Sequence, residues 1–316
     1  MIAHIPNDVK KKFTEYHNMD YLLILLSVLL LAICFILQKL YQKGSEQTTI
    51  GGVDFSILSA CFSLLLLLAM SGFAPEFSWY SAINSLLRSA CCLAYTVIGF
   101  WIMKNGHVAY YMLFLMSGGM VLPTVWGWLF LHEEILPLRV IGILLILLSI
   151  VLSNKSQEKP DWKMLLACGS VFVLNGFVSV FSKLHQVNEV YPIVSTESYA
   201  LYGTIASLLM SLLLRVVLAR TAPKKPRDTQ PAAKRGRWAI LLPILIVAAY
   251  SVLGSLSSLL QLWGAAKLPA SLLYPMITGG SIVFTGLFAR IFFKEQLSRS
   301  EWVGIVLCCA GTLLFL

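Results

Sequence analysis

The amino-acid sequence predicts an all-α integral membrane protein with ten transmembrane helices in two inverted five-helix repeats, and three observations carry that expectation. The 316-residue chain is 58% hydrophobic, has a mean hydropathy of +0.79 and carries charge on only 12% of its residues, a balance foreign to soluble domains of this size. Its apolar residues fall into ten runs, and roughly 20 residues of helix cross a hydrocarbon layer about 30 Å thick. Lastly, "MSGGMVLPTVWGWLFLHEEIL" (Met116 to Leu136) and "ITGGSIVFTGLFARIFFKEQL" (Ile277 to Leu297) share a glycine pair, a long apolar run and a terminal glutamate. Lipid leaves backbone groups unsatisfied unless they bond within the segment, so continuous runs of this kind are helices.

The first span, about 20–38, follows the basic "VKKKF" as a signal peptide would, yet runs into "ICFILQKLYQ" without a small-x-small cleavage site and is kept as a helix. Residues 1–19 form a separate N-terminal segment, at most a short interfacial helix. The next four spans are expected at about 54–72, 79–103, 107–131 and 136–153, and the last five at about 162–183, 196–219, 238–263, 269–293 and 301–316. Gly51-Gly52, Pro75, Asn105-Gly106, Pro137, Pro160, Pro192, Pro226 and Pro269 stand at or near the joints, where helix-breaking residues cost least. The tenth span is short, so it tilts little or the bilayer thins around it. Between spans seven and eight, "ARTAPKKPRDTQPAAKRGR" (219–237) is basic, proline-rich and too polar to fold by itself, and is expected to be a mobile loop.

Laying Gly118-Gly119 on Gly279-Gly280 sets an offset of 161 residues, which also pairs Ala109 with Ala270, Thr124 with Thr285, Glu134 with Glu295 and Leu136 with Leu297; one inserted residue later, Gly142 meets Gly304. The chain thus divides into 20–157 and 158–316, each with five spans. An odd number of crossings ends a unit on the side opposite to its start, so the second copy inserts upside down. Inverted repeats of this kind build many secondary transporters, with the cargo site near the bilayer midplane where the repeats meet.

Other function classes fall away on composition. The formal charge of +9 resides in the loops and sets topology, giving no nucleic-acid surface. All seven cysteines lie within apolar runs without a CxxC, so neither a disulfide framework nor a metal site is expected. His132-Glu133-Glu134 lacks the second histidine of HExxH, and no phosphate-binding glycine loop offers ATP coupling. No cofactor is expected. What remains is a carrier whose partners are membrane lipids, a small-molecule cargo and a proton or counter-substrate, with the oligomeric state left open.

Polar groups inside a span are functional candidates because they are costly unless they face protein or water. Arg88 in "NSLLRSACCLAYT" offers a site for a carboxylate or phosphate, or snorkels to the headgroups. Glu197 offers a proton or amine site, or a carboxylate favoured at a helix N-terminus. Asn175 and Gln261 hydrogen-bond cargo or a neighbouring helix. Tyr111 and Tyr274 are the most interior of the aromatics Tyr110, Tyr111, Trp126, Trp263 and Tyr274, which line a cavity or anchor at the interface. Gly118, Gly119, Gly279 and Gly280 permit close helix approach or local unwinding.

Two five-helix halves, each closing with a long helix that ends in a glutamate and leads through a short loop to a glycine-bearing helix ("HEEILPLRVIG" and "KEQLSRSEWVG"), resemble the drug/metabolite transporter superfamily, EamA type. The pattern departs from the family in the places of Pro123 and Pro275. The resemblance makes Glu134 and Glu295 the family-like helix-end positions, expected to cap loops or to pair with Arg139 and Arg299. It implies a carrier of small metabolites, among them amino acids, acting by export or exchange. It also implies cytoplasmic termini, an orientation we adopt although the loop charges favour the reverse, while the short loops and compact size suit a bacterial inner membrane. The rival readings are a polytopic enzyme acting on lipid-linked substrates, for which no carboxylate or histidine cluster is visible, and a non-transporting sensor or scaffold subunit.

Overall fold

The computed structural model describes residues 7–44, 49–104, 108–134, 136–153, 161–221, 237–294 and 298–315, and among these the regular structure is entirely α-helical. The helices are α1 (Asn7–Gly44), α2 (Thr49–Met70), α3 (Trp79–Lys104), α4 (Val108–Phe130), α5 (Pro137–Ser153), α6 (Trp162–Gln186), α7 (Thr196–Thr221), α8 (Arg237–Lys267), α9 (Ala270–Phe293) and α10 (Arg299–Leu313). Eight of them are long and apolar enough to cross a membrane; α5, with 17 residues, and α10, with 15, are shorter. The chain is a multi-pass membrane protein.

Helix edges fall where the side chains dictate. Asp161 caps α6 by accepting from the Met164 amide at 2.8 Å. Ser298 and Glu301 form a reciprocal capping box at the start of α10. The N-terminal segment differs from expectation: residues 7–19 continue α1 without a break, since no glycine or proline interrupts the chain between Pro6 and the apolar run. Most of the basic loop 219–237 and all of Glu295 lie outside the described residues.

Packing follows a regular scheme. Helix α4 lies against α6 and α9, α1 against α8 and α9, α3 against α6 and α7, α2 against α7 and α8, and α5 against α10. The α5–α10 contact is reciprocal. A side chain at Gly142 would overlap Phe315 and the Gly311 carbonyl, while one at Gly304 would overlap Ser153 and the Ser149 carbonyl. Ser149 Oγ also donates to the Gly304 carbonyl at 2.6 Å. The α4–α6 crossing is equally close, with Gly118 against the Phe172 backbone and Gly176 against Leu122 and the Gly118 carbonyl. Pro123 cannot donate to the Gly119 carbonyl four residues back; Ser179 Oγ of α6 donates to it instead, at 3.3 Å. The largest buried cluster among the described residues joins α1, α4, α5, α9 and α10 through Ile24, Val28, Met120, Ile146, Ile150, Leu273, Met276 and Cys308.

Candidate functional site: a central cavity closed at one end

The connections 71–78, 131–134, 187–195 and 268–269 are tied together at one end of the bundle, called here the first end. Glu133 accepts from the Ala270 amide at 2.6 Å, thereby capping α9, whose preceding residue, Pro269, offers no side-chain cap. Its other carboxylate oxygen lies 3.2 Å from the Lys183 ammonium, which donates to the Leu268 carbonyl at 2.7 Å. Both charges are deeply buried, with side-chain exposures of 6% for Lys183 and 12% for Glu133. Arg139 donates to Ser271 Oγ at 3.2 Å.

The same end is closed on its other flank by polar and aromatic contacts. Glu76 accepts from the Ser195 amide at 2.7 Å, its carbonyl accepts from the Tyr202 hydroxyl, and Ser78 donates to the Pro192 carbonyl. His185, fully buried, bonds Ser81 at 2.9 Å and stacks on Tyr199 at 3.8 Å and on Tyr80 at 6.2 Å between ring centres. Tyr199 in turn donates to the Asn84 side chain at 2.8 Å.

Above this floor lies a cavity of about 970 Å³. Its wall descends from Gln38, Lys39 and Ser153, near the far ends of α1 and α5, to Ser182 and Ala265, close to the Lys183 contact. The cavity therefore extends from the second end almost to the first. Five residues singled out in the sequence, Arg88, Tyr111, Asn175, Gln261 and Tyr274, line it together with Gly119. The structure divides them further. The Asn175 amide donates to the Leu115 carbonyl at 2.7 Å and the Tyr274 hydroxyl to the Ser179 carbonyl at 2.6 Å, each joining two helices; the Gln261 amide donates to Ser257 of its own helix at 3.0 Å. Arg88 forms no ion pair among the described residues, and its buried Nε has no hydrogen-bond partner.

Other candidates lie elsewhere. Glu197 is in the first turn of α7, at the first end, and lines neither described cavity. Gly118 and Gly280 serve close approach, to Phe172 and Val28, while Gly279 abuts Thr312 and Ile146. Trp126 packs on Phe130 and Phe177, and Trp263 lies under the Lys267 ammonium at 3.7 Å. Glu134 is exposed, and the capping role expected of it is performed by its neighbour Glu133. Arg139, expected to pair with a glutamate, bonds Ser271 instead.

Sequence reasoning passed over a second cavity of about 350 Å³ bounded by α1, α2, α3, α7 and α8, which shares Leu31, Arg88 and Ser258 with the central one. Its wall is rich in hydroxyls. The signal was present in the sequence: Ser56, Ser59 and Ser63 on α2 and Ser251, Ser255 and Ser258 on α8 recur at the three-to-four-residue spacing that places side chains on one helix face.

A multi-pass membrane protein with a deep, partly polar cavity, closed at one end by a buried ion pair, has the architecture of a membrane transporter. Residues 161–316, just under half of the chain, match the EamA-like transporter family of the drug/metabolite transporter superfamily, whose members are transporters and not enzymes. Two curated relatives, each described as a probable 4-amino-4-deoxy-L-arabinose-phosphoundecaprenol flippase subunit ArnE, align over 77 residues: 32% identical in Aeromonas hydrophila subsp. hydrophila and 34% in Aeromonas salmonicida. The alignment spans 24% of this chain and 66% of each relative. One solved crystal structure superposes with a TM-score of 0.69 at 14% identity, covering 94% of this chain and 96% of that one, a likeness of fold.

Proposed function

We propose that this protein is a secondary transporter that moves a small metabolite, such as an amino acid or a related compound, by export or exchange through alternating access. The observation that carries this reading is the 970 Å³ cavity, walled by helices of both halves of the chain and, among the described residues, closed at the first end. In this reading all ten helices cross a bacterial inner membrane, residues 20–157 and 158–316 are inverted five-helix repeats, and the termini are cytoplasmic. The reciprocal α5–α10 contact supports the repeat. An offset of 162 turns Gly142 into Gly304, Ser149 into Gly311 and Ser153 into Phe315, so the neighbours of Gly142 become those of Gly304, as a pseudo-two-fold axis requires.

The partial likeness to flippase subunits favours a second reading, in which the cargo is the head of a lipid-linked molecule. Proteoliposomes separate the two. Reconstituted protein loaded with a cytosolic extract and sampled by mass spectrometry is expected to exchange a water-soluble solute, with Arg88→Gln suppressing the flux. Movement of a dithionite-quenchable fluorescent phospholipid-linked probe without solute flux would establish the second reading, and neither movement would remove both.

A further inference from the structure

Arg88 is the one charge on the wall of the hydroxyl-rich cavity, and no carboxylate lines either this cavity or the central one among the described residues. A cation buried in a membrane protein is costly unless its partner is at hand. Here the Arg88 Nε is out of contact with solvent and unbonded, and the fully buried Ser85 Oγ, one turn earlier on α3, is unbonded as well. The α7 face opposite carries Gly203, where a side chain would come within 3.1 Å of an Arg88 terminal nitrogen and 3.4 Å of Ser85 Oγ. Around this point the hydroxyls of Ser63, Ser207, Ser255 and Ser258 line the cavity and make no hydrogen bond to the protein among the described residues. Those hydroxyls come from α2, α7 and α8, so three helices bring unused donors to the side of an unpaired guanidinium.

We infer that this cavity is an oxyanion subsite: Arg88 and the surrounding serine hydroxyls hold a carboxylate or phosphate of the cargo while the rest of the molecule occupies the central cavity. The inference rests on the transport reading and narrows it to anionic cargo. A guanidinium offers several donors in a fixed plane suited to two oxygens, and hydroxyls rotate to donate to the remaining lone pairs. A cationic compound would find no carboxylate on either wall. The volume of about 350 Å³ accommodates such a group with part of its scaffold, and the wall that it shares with the central cavity at Leu31, Arg88 and Ser258 allows one molecule to span both.

The test measures binding separately from transport. Purified protein in uncharged detergent is titrated with inorganic phosphate and with acetate, against sodium chloride at equal ionic strength, and followed by thermal unfolding. Phosphate or acetate is expected to raise the unfolding temperature, with Arg88→Gln weakening the response about tenfold or more. A Ser207→Ala, Ser255→Ala, Ser258→Ala triple variant is expected to lower affinity severalfold while its anion-free unfolding temperature stays unchanged, because these hydroxyls bond nothing in the empty protein. Native mass spectrometry from nanodiscs of phosphatidylglycerol or phosphatidylcholine separates the sources: retention of the anionic lipid by wild type alone assigns the subsite to a lipid head, and retention of neither assigns it to a soluble anion. An anion response identical in wild type, Arg88→Gln and the triple variant overturns the subsite. Flux of a neutral or cationic solute unaltered by Arg88→Gln overturns the anionic cargo while leaving the transporter standing, and saturable anion binding without flux of any solute keeps the subsite and removes the transporter.

Discussion

The buried Glu133–Lys183 pair is the contact whose removal has the most definite expected consequence. Glu133→Ala strips both the Lys183 ammonium and the Ala270 amide of their carboxylate partner, leaving a cation with 6% side-chain exposure bonded only to the Leu268 carbonyl. Breaking a buried pair from one side costs about 3–5 kcal/mol, or roughly a factor of 10² to 4 × 10³ in the equilibrium it holds. Lys183→Met is expected to cost less, because Glu133 keeps its 2.6 Å bond to the Ala270 amide at the positive end of α9. Glu133→Gln also keeps an acceptor for that amide and falls between wild type and alanine. In the Glu133→Ala, Lys183→Met double variant the orphaned ammonium is gone, so part of the loss returns. The assay pairs thermal unfolding with the labelling rate of a cysteine placed at Leu272, which is 1% exposed and two residues beyond the capped amide. Faster labelling in Glu133→Ala, partly reversed in the double variant, is expected of a contact that keeps the first end closed. Equal labelling and unfolding in wild type and all four variants would refute the reasoning.

Two further outcomes follow from the packing and a third from the proposed orientation. Gly118→Ala is expected to destabilise the protein by about 1–3 kcal/mol, since its new methyl meets the Phe172 backbone, which has little room to yield; Gly169→Ala, with nothing within 4 Å, is expected to leave the unfolding temperature unchanged. Gly142→Val and Gly304→Val are each expected to pry α5 from α10, and a variant that unfolds like wild type at either site would contradict the tight crossing. A cysteine at Ala232 in the basic loop, in a background without other reactive cysteines, is expected to react with an impermeant maleimide added to intact cells if the termini are cytoplasmic; protection from outside would reverse the orientation.

The helices were legible because each leaves its own signature in the sequence: apolar runs set by bilayer thickness, punctuated by Pro137, Pro160 and Pro269. The merging of residues 7–19 with α1 was not, since hydropathy marks where a span leaves the hydrocarbon and says nothing about where the helix ends. Arg88, Tyr111, Asn175, Gln261 and Tyr274 drew attention as polar or aromatic interruptions, and they share one cavity wall. The pairing of Glu133 with Lys183 escaped notice because each lies at or near a helix end, where charge is ordinary; only the tertiary fold buries them against one another. The hydroxyl-lined cavity escaped because serine is common in membrane helices. Its face periodicity on α2 and α8 becomes informative once the two faces are known to meet.

The turns that end α4 and α9 extend the argument about the closed end. His132 and Lys294 adopt nearly the same left-handed backbone, with φ of 52° and 53°, and they stand 162 residues apart. That register differs by one from the offset of 161 set by the glycine pairs, and it matches the offset of Gly142 and Gly304. In the proposed repeat that register pairs Glu133, in place of Glu134, with Glu295. If the repeat holds, Glu295 is expected to do at the second end, in the opposite conformation, what Glu133 does at the first. Glu295→Gln is therefore expected to favour the state open at the second end, and Glu133→Gln to disfavour it. The labelling rate of a cysteine at Ser153, on the cavity wall near the second end, reports the difference. It should rise in Glu295→Gln and fall in Glu133→Gln. Shifts in the same direction for both variants would mean that the two glutamates serve the fold alone, with no part in alternation.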